Sequence, residues 1–172
     1  GISDENDLED SEQAIKTIAN MVSDVLHLAE DILKEETEDP KLQKLYQILE
    51  EKRDLANNRV MLFSTFRHTL TYLEKNLRRA GFRVGLIHGG VDDSTRMSLR
   101  ERFEMPRDSA EAVDVLLFSE VGCEGLDYQF CDCIINYDLP WNPMKIDQRI
   151  GRIDRWGQKS EAVLIYNFIT EG

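Results

Sequence analysis

The sequence predicts an α/β fold in which a mainly parallel β-sheet lies between layers of helices, and three observations support this prediction. Short apolar runs alternate with stretches of helical periodicity throughout residues 59–169. The apolar runs are continuous, as in parallel strands that helices cover on both faces. Polar residues directly follow four of these runs, at the positions where ligands bind to parallel sheets.

The predicted strands and helices follow from these runs and from residues that favour helix ends. The five apolar runs predict strands at residues 60–63, 82–87, 113–118, 133–137 and 163–169. Leucines three and four residues apart predict a helix over residues 69–80, and Gly81 suits the position just after its last turn. A further helix is predicted over residues 94–103.

The N-terminal part of the chain is predicted to be a separate acidic helical segment, residues 1–39, followed by an α/β domain, residues 40–172. Within the segment, residues 11–34 carry an apolar stripe that consists of Ile15, Ile18, Val22, Val25, Ala29 and Ile32. Two interpretations stay open. The stripe packs on its own domain or on a missing neighbour, or it mediates self-association as a coiled coil. Pro40 begins a second helix, which Leu42, Leu45, Tyr46 and Leu49 predict.

The charge of the chain is concentrated in its N-terminal segment. The 172 residues carry a net charge of −12, and residues 1–39 hold 13 acidic and 2 basic residues. Residues 40–172 hold 20 acidic and 19 basic residues and are therefore close to neutral. An almost neutral domain can still gather its arginines on one surface, so the charge neither supports nor excludes nucleic acid as a partner.

The composition favours an ordinary globular protein with reduced cysteines. Hydrophobic residues make up 41% and charged residues 31%, and no apolar run approaches the roughly 20 residues of a membrane span. The acidic N-terminus does not resemble a secretory signal, so a cytoplasmic location is expected, or a nuclear one in a eukaryote. Cys123, Cys131 and Cys133 form no C-x-x-C pair, and we expect them to be reduced packing residues.

Polar and glycine residues at the predicted strand ends are candidates for binding phosphate. Ser64 and Thr65 follow the first strand, and their hydroxyls can hold a phosphate or cap the next helix. His88 and Gly89 follow the second strand, where glycine lets backbone amides approach a phosphate closely. Ser119 follows the third strand. The parallel topology would bring these residues to one edge of the sheet.

The most informative stretch is QRIGRIDRWGQ, residues 148–158. At helical spacing, Gln148, Arg152 and Arg155 share one face, whereas the opposite face carries Ile146, Ile150 and Ile153. Asn142 suits the N-cap and Pro143 the first position of this helix. Arginine binds phosphate oxygens in a planar, bidentate way, so the polar face is a candidate phosphate site. A solvated basic face is the alternative.

This stretch resembles the last motif of superfamily 2 helicases, in its Swi/Snf-type form Q-x-x-G-R-x-x-R-x-G-Q. Residues 138–143 resemble the family's D-x-x-W-N-P, and S-E-x-G-x-E-G at residues 119–125 is similar to the bacterial polymerase-recycling branch. The motifs follow the family's order over about residues 41–170. The resemblance implies a three-layer RecA-like domain, the second lobe of a two-lobe ATPase.

The resemblance also implies roles for particular residues. Arg152 and Arg155 correspond to arginine fingers that reach the ATP phosphates, and Gln148 belongs to the same catalytic site. Gly125 and Asp127 correspond to residues that touch the nucleotide. The residues that correspond to contacts with the nucleic-acid backbone are Ser64, Thr65, His88, Gly89 and Ser119. The expected partners are the N-terminal ATPase lobe of the same parent chain and double-stranded DNA.

The sequence contains neither the phosphate loop G-x-x-x-x-G-K-[ST] nor a D-E-x-H run. ATP and Mg²⁺ are therefore expected to bind mainly to the first lobe, and we expect this chain alone to hydrolyse ATP negligibly and to bind neither. The alternative function is a non-catalytic module of RecA-like fold that binds nucleic acid or protein.

Overall fold

A computed structural model of the protein describes residues 2–119, 126–140, 143–154, 157–158 and 160–169, without the side chains of residues 2–7, 33–38 and 143. The chain divides into two compact units, Gly1–Leu45 and Tyr46–Gly172. Each unit is described by itself, and the proposed domain boundary at residue 40 stays a prediction.

The first unit consists of a long helix and the start of a second one. Helix α1 spans Ile2–Glu38 and extends beyond the predicted 11–34 at both ends. Helix α2 spans Pro40–Arg53. The carboxylate of Asp39 accepts hydrogen bonds from the backbone N–H groups of Lys41 and Leu42, both at 3.1 Å, so Asp39 caps α2.

The second unit contains a five-stranded, wholly parallel sheet, which confirms the predicted fold class. The strands are β1 (Val60–Phe63), β2 (Val84–Ile87), β3 (Val115–Phe118), β4 (Cys133–Asn136) and β5 (Leu164–Asn167), in the spatial order β2-β3-β1-β4-β5. Val60 pairs with Val115, and Met61 pairs with Ile134 on the other side of β1. The first, third and fourth strands are fully buried, as continuous apolar runs predict.

The helices between the strands begin and end at residues suited to these positions. Helix α3 spans Arg67–Arg79, and Gly81 follows it with a φ of +92°, a conformation that glycine adopts without strain. Helix α4 spans Asp93–Glu104, and the Asp92 side chain accepts a hydrogen bond from Thr95 N at 2.7 Å. Helix α5 spans Pro143–Ile150, which confirms Pro143 as its first residue.

The core of the second unit is aromatic at its centre. Phe63 of β1 and Phe118 of β3 stack with ring centroids 5.1 Å apart, and Tyr128 meets Phe118 edge-on at 5.4 Å. Cys131 and Cys133 are buried and free, as predicted, and burial raises the pKa of each thiol to about 12. Both cysteines are therefore unreactive packing residues.

At the amino end of the strands, Asp114 is bonded to a cluster of polar groups. Its carboxylate accepts hydrogen bonds from Arg83 Nε at 3.0 Å, Arg83 Nη2 at 2.8 Å and Asn58 Nδ2 at 2.8 Å. Burial by itself raises the pKa of Asp114, but the hydrogen bonds and the charge of Arg83 outweigh it and lower this pKa.

Within the described residues, no helix is both long enough and apolar enough to cross a membrane.

Candidate functional site

The sequence-predicted polar residues lie at the carboxyl edge of the sheet. Ser64 follows β1, His88 follows β2, Ser119 follows β3 and Asp138 lies two residues after the last residue of β4. Since all strands are parallel, these ends meet at one edge. The predicted gathering of these residues at one edge is confirmed.

Asp138 holds the chain where it leaves β1. The Ser64 hydroxyl donates to Asp138 Oδ2, and both the N–H and the hydroxyl of Thr65 donate to Asp138 Oδ1 at 2.8 Å. Ser64 is fully buried, and its Oγ also accepts from Phe66 N at 3.2 Å, whereas Thr65 is exposed. Of the two hydroxyl residues, Thr65 is thus the one that a large ligand can reach in this arrangement.

Ser64 and Thr65 do not cap α3 with their side chains. The N-cap residue of α3 is Phe66, which makes no side-chain cap hydrogen bond. The helix-cap alternative for the two hydroxyls is therefore wrong. The Ser64 hydroxyl instead donates to Asp138, 74 residues later in the sequence, and this bond joins the segments that follow β1 and β4.

The loop after β2 places the His88 ring between Gly90 N and the Arg67 guanidinium. His88 Nδ1 accepts a hydrogen bond from Gly90 N at 2.9 Å, and Arg67 Nη2 lies 3.0 Å from His88 Nε2. A Cβ atom at Gly90 would lie 2.9 Å from His88 Cε1, so the imidazole position requires glycine there. His88 is half-buried and Gly89 is exposed.

Ser119, directly after β3, is bonded to the last residue of β2, because Ser119 N donates to Ile87 O at 3.0 Å.

Arg152 and Asp127 lie side by side. Arg152 Nη1 is 3.8 Å from Asp127 Oδ1, and both side chains are partly exposed, at 24% and 33%. The backbone is fixed more tightly, because Tyr128 N donates to Arg152 O at 2.8 Å. Arg100 Nε donates to Asp127 O at 2.8 Å from α4. The two stretches predicted to contact the nucleotide therefore lie together.

The helix that leads to Arg152 is shorter than predicted. Regular helix α5 ends at Ile150, and turns follow over residues 151–153. Arg152 N bonds to Arg149 O at 3.1 Å and Ile153 N bonds to Ile150 O at 3.0 Å, a three-residue spacing tighter than that of an α-helix. The predicted regular helix therefore stops short of Arg152, although Asp154 N still bonds to Ile150 O at 2.9 Å with the four-residue spacing of an α-helix.

The apolar side of this stretch behaves as predicted. Ile153 is fully buried, Ile150 packs against the core and Ile146 is half-buried. Gln148 is exposed on α5. The predicted apolar anchor was therefore correct. Of the predicted polar face, Arg152 is only partly exposed and Arg155 lies outside the described residues, so exposure of the whole face stays a prediction.

Arg149 is a functional candidate that sequence periodicity missed. Its side chain is 2% exposed. Arg149 Nη1 donates to Asn136 Oδ1 at 2.6 Å, and the guanidinium carbon lies 4.7 Å from the centre of the Phe63 ring. A charged residue between two helix faces gives no hydropathy signal of burial, so the sequence could not show this contact.

Gln158 is the last residue of the motif, and its side-chain amide makes three hydrogen bonds to nearby backbone groups. Its Nε2 donates to Cys131 O at 2.8 Å and to Ile153 O at 2.9 Å, and its Oε1 accepts from Ser160 N at 3.2 Å. One amide therefore ties the end of the motif to the start of β4.

Some predicted residues lie outside the described residues, namely Arg155, Gly125, Trp141, Asn142 and Cys123. Their predicted roles stay predictions. Among the described residues, no group of three or more histidine, cysteine, aspartate or glutamate side chains could hold a metal ion.

Residues 40–157 match the protein family described as the helicase conserved C-terminal domain. The chain belongs to this family. The domain is 38% identical over 115 residues to the "Uncharacterized ATP-dependent helicase YqhH" of Bacillus subtilis, covering 67% of this chain and 19% of that protein. It is 37% identical over 124 residues to the "RNA polymerase-associated protein RapA" of Sodalis glossinidius, covering 72% of this chain and 12% of RapA.

The fold also has a solved counterpart. The C-terminal part of the Fun30 ATPase domain matches 78% of this chain, and the chain covers 42% of that structure, with a TM-score of 0.66 and 23% sequence identity. These comparisons confirm the predicted Swi/Snf-type helicase C-terminal lobe and its RecA-like fold. The helicase domain spans less than a fifth of the length of YqhH or RapA.

Proposed function

We propose that this helicase C-terminal domain is the second motor lobe of an ATP-dependent nucleic-acid translocase. In this function, Arg152 and Arg155 reach the phosphates of an ATP molecule that a first lobe binds. The observation that carries the proposal is the fixed backbone of Arg152, whose carbonyl is bonded to Tyr128 N, together with the position of its guanidinium beside Asp127.

The geometry of Arg152 suits a group that acts in the transition state. In phosphoryl transfer, negative charge spreads over the outer phosphate oxygens, and a fixed guanidinium stabilises it; such arginine fingers contribute about 10³–10⁵ in rate. At 3.8 Å, the contact of Arg152 with Asp127 is longer than a direct charge-assisted hydrogen bond. A contact of this length leaves the guanidinium able to turn towards a phosphate oxygen.

ATP and Mg²⁺ would be held mainly by the first lobe. Bound Mg²⁺ would supply charge neutralisation at the phosphates. On this lobe, the residues that fit a nucleotide are a cation and a hydrogen-bonding carboxylate, Arg152 and Asp127, with Gln148 exposed on the same segment. Gly125 would contact the nucleotide beside Asp127.

Nucleic acid would bind along the carboxyl edge through residues at the ends of β1, β2 and β3. Thr65 and Gly89 are exposed there, and His88 and Ser119 are half-buried. The buried Ser64 would act through Asp138 and the position of Thr65. We propose double-stranded DNA as the substrate because the family resemblance is to Swi/Snf-type ATPases.

The test compares ATP turnover by this chain alone with turnover by a protein that joins it to its first lobe. We expect negligible turnover by the chain alone and clear turnover by the two-lobe protein, with stimulation by double-stranded DNA. Clear turnover by the chain alone would refute the proposal. DNA binding without turnover in the two-lobe protein would favour the alternative, a non-catalytic binding module.

The partner of α1 remains a separate proposal. The apolar stripe is solvent-exposed in this structure, with Ile18 at 61% and Val25 at 66%. Several apolar side chains exposed along one helix favour contact with another helix. Self-association through residues 11–39 is the form of this contact that we propose for test.

A further inference from the structure

Arg149 is a buried cation at the carboxyl edge of the sheet, three residues before Arg152. Burying a guanidinium costs free energy, and apolar residues of similar volume often fill such positions with equal or greater stability. Packing alone therefore does not explain why an arginine occupies this position. Its contacts supply another reason.

The contacts of Arg149 fix the orientation of its side chain. The hydrogen bond from Nη1 to Asn136 Oδ1, at 2.6 Å, has a defined direction. Asn136 is itself held, because its Nδ2 donates to Asn167 Oδ1 at 2.8 Å. The guanidinium carbon also lies over the buried Phe63 ring, 4.7 Å from its centre. Residues of β1 and β4 thus contact this side chain of α5 directly, and β5 supports it through Asn136.

The backbone of Arg149 passes this restraint to Arg152. Arg149 O accepts the hydrogen bond from Arg152 N at 3.1 Å, while Arg152 O accepts from Tyr128 N at 2.8 Å. The peptide groups of Arg152 are therefore bonded on both sides. The partner on one side, Arg149, is itself fixed to the sheet through its buried guanidinium.

We propose that Arg149 is a positioning residue that sets the place and direction of the Arg152 side chain relative to the sheet. This inference rests on the proposed function, in which Arg152 meets the ATP phosphates. Arg149 itself touches neither nucleotide nor nucleic acid in this scheme. Misplacement of a reacting group by about 1 Å can lower a rate about 10²-fold, so small changes at Arg149 have measurable effects.

The primary test is Arg149→Met in the two-lobe protein. Methionine fills the site with an apolar chain but lacks the directed hydrogen bond and the cation–π contact with Phe63. We expect kcat for ATP to fall at least about tenfold, with KM for ATP within about twofold and Tm nearly unchanged. The matched control, Arg79→Met, alters an exposed arginine of α3 and should leave all three values unchanged. Wild-type kcat in a folded Arg149→Met protein would overturn the inference.

A second variant keeps the test decisive if the methionine protein does not fold. Arg149→Lys keeps the positive charge but loses the planar guanidinium and its fixed set of donors. We expect Arg149→Lys to fold and to show a kcat between those of the wild type and of Arg152→Ala, with unchanged KM. A wild-type kcat for the lysine variant would overturn the inference, since charge alone would then suffice.

The double variant separates positioning from a general structural role. If Arg149 acts through Arg152, then Arg149→Met adds no further loss of kcat once Arg152→Ala is present. Multiplied losses in the double variant would contradict the inference and leave the finger role of Arg152 intact. A wild-type kcat in Arg152→Ala would instead remove the proposed function, and the inference with it.

Discussion

Tyr128 donates its backbone N–H to the carbonyl oxygen of Arg152 across 2.8 Å, and this bond joins two stretches that lie 24 residues apart in the chain. This hydrogen bond holds the segment after β3 against the turn after α5. Arg100 links α4 to the same segment, because its Nε donates to Asp127 O. The position of Arg152 therefore depends on three elements of the domain.

Replacement of Asp114 by asparagine is expected to destabilise the domain by roughly 1–2 kcal/mol at neutral pH. The change removes the charge that Arg83 Nε and Nη2 contact at 3.0 and 2.8 Å. Urea unfolding of wild-type and Asp114→Asn proteins measures the difference. Asp108→Asn, at an exposed position, is the control and should change stability little.

The effect of Asp114→Asn should also depend on pH. Burial raises the pKa of Asp114, but its bonds to Arg83 and Asn58 lower the pKa by a larger amount. The pKa in the folded state therefore lies below the unfolded value of about 3.9. The contribution of the carboxylate is then complete above the unfolded pKa and is lost as the pH falls through the folded pKa. A difference in stability that grows on acidification would contradict this assignment.

Cys131 and Cys133 should resist alkylation while the protein is folded. Burial raises the pKa of each thiol to about 12, so at pH 8 the thiolate fraction is on the order of 10⁻⁴. Treatment with iodoacetamide followed by peptide mass spectrometry should show both unmodified in buffer and modified in urea. Rapid modification of either one in buffer would show that the strand β4 region opens readily.

Gly81→Ala should destabilise the domain by about 1 kcal/mol. The φ of Gly81 is +92°, and an added Cβ would meet no atom within 4 Å, so the cost arises from backbone strain and not from collision. Gly81→Asn, with a residue that tolerates this region better, should cost less. Thermal unfolding of both variants measures the order. Equal stability of wild type and Gly81→Ala would contradict the conformation assigned to this turn.

The sequence predicted the sheet well because buried parallel strands leave a simple signal. All five strands lie within the apolar runs, and Val60–Phe63 matches its run residue for residue. The stripe on α3 was also correct, since Leu70, Leu73 and Leu77 are fully buried. Such signals depend on hydropathy alone, and the rule that ligands bind at the carboxyl ends of parallel strands then predicted that the polar residues share one edge.

The sequence could not predict which polar residues are buried together. Ser64 and Asp138 lie 74 residues apart, and nothing in either segment indicates their hydrogen bond. Arg149 next to Ile150 gave no sign of burial, because charged residues usually stay exposed. Partners of this kind depend on the register of the strands, which is a property of the whole fold.

Self-association through α1 can be measured on the chain itself. The exposed stripe that contains Ile18 and Val25 should make the chain of 172 residues scatter light as a species larger than a monomer. A version that begins at Pro40 lacks the stripe and should be monomeric. A monomeric full chain would favour the other interpretation, in which another neighbour covers the stripe.

The most direct test of the account is the kcat for ATP of the two-lobe protein with Arg152→Ala, compared with Arg79→Ala as the control. If Arg152 stabilises the transition state, kcat should fall about 10³-fold or more while ATP affinity changes little. Arg155→Ala should behave in the same way, as predicted for the second finger. Wild-type kcat in both variants would contradict the central claim that this lobe completes the site of ATP hydrolysis.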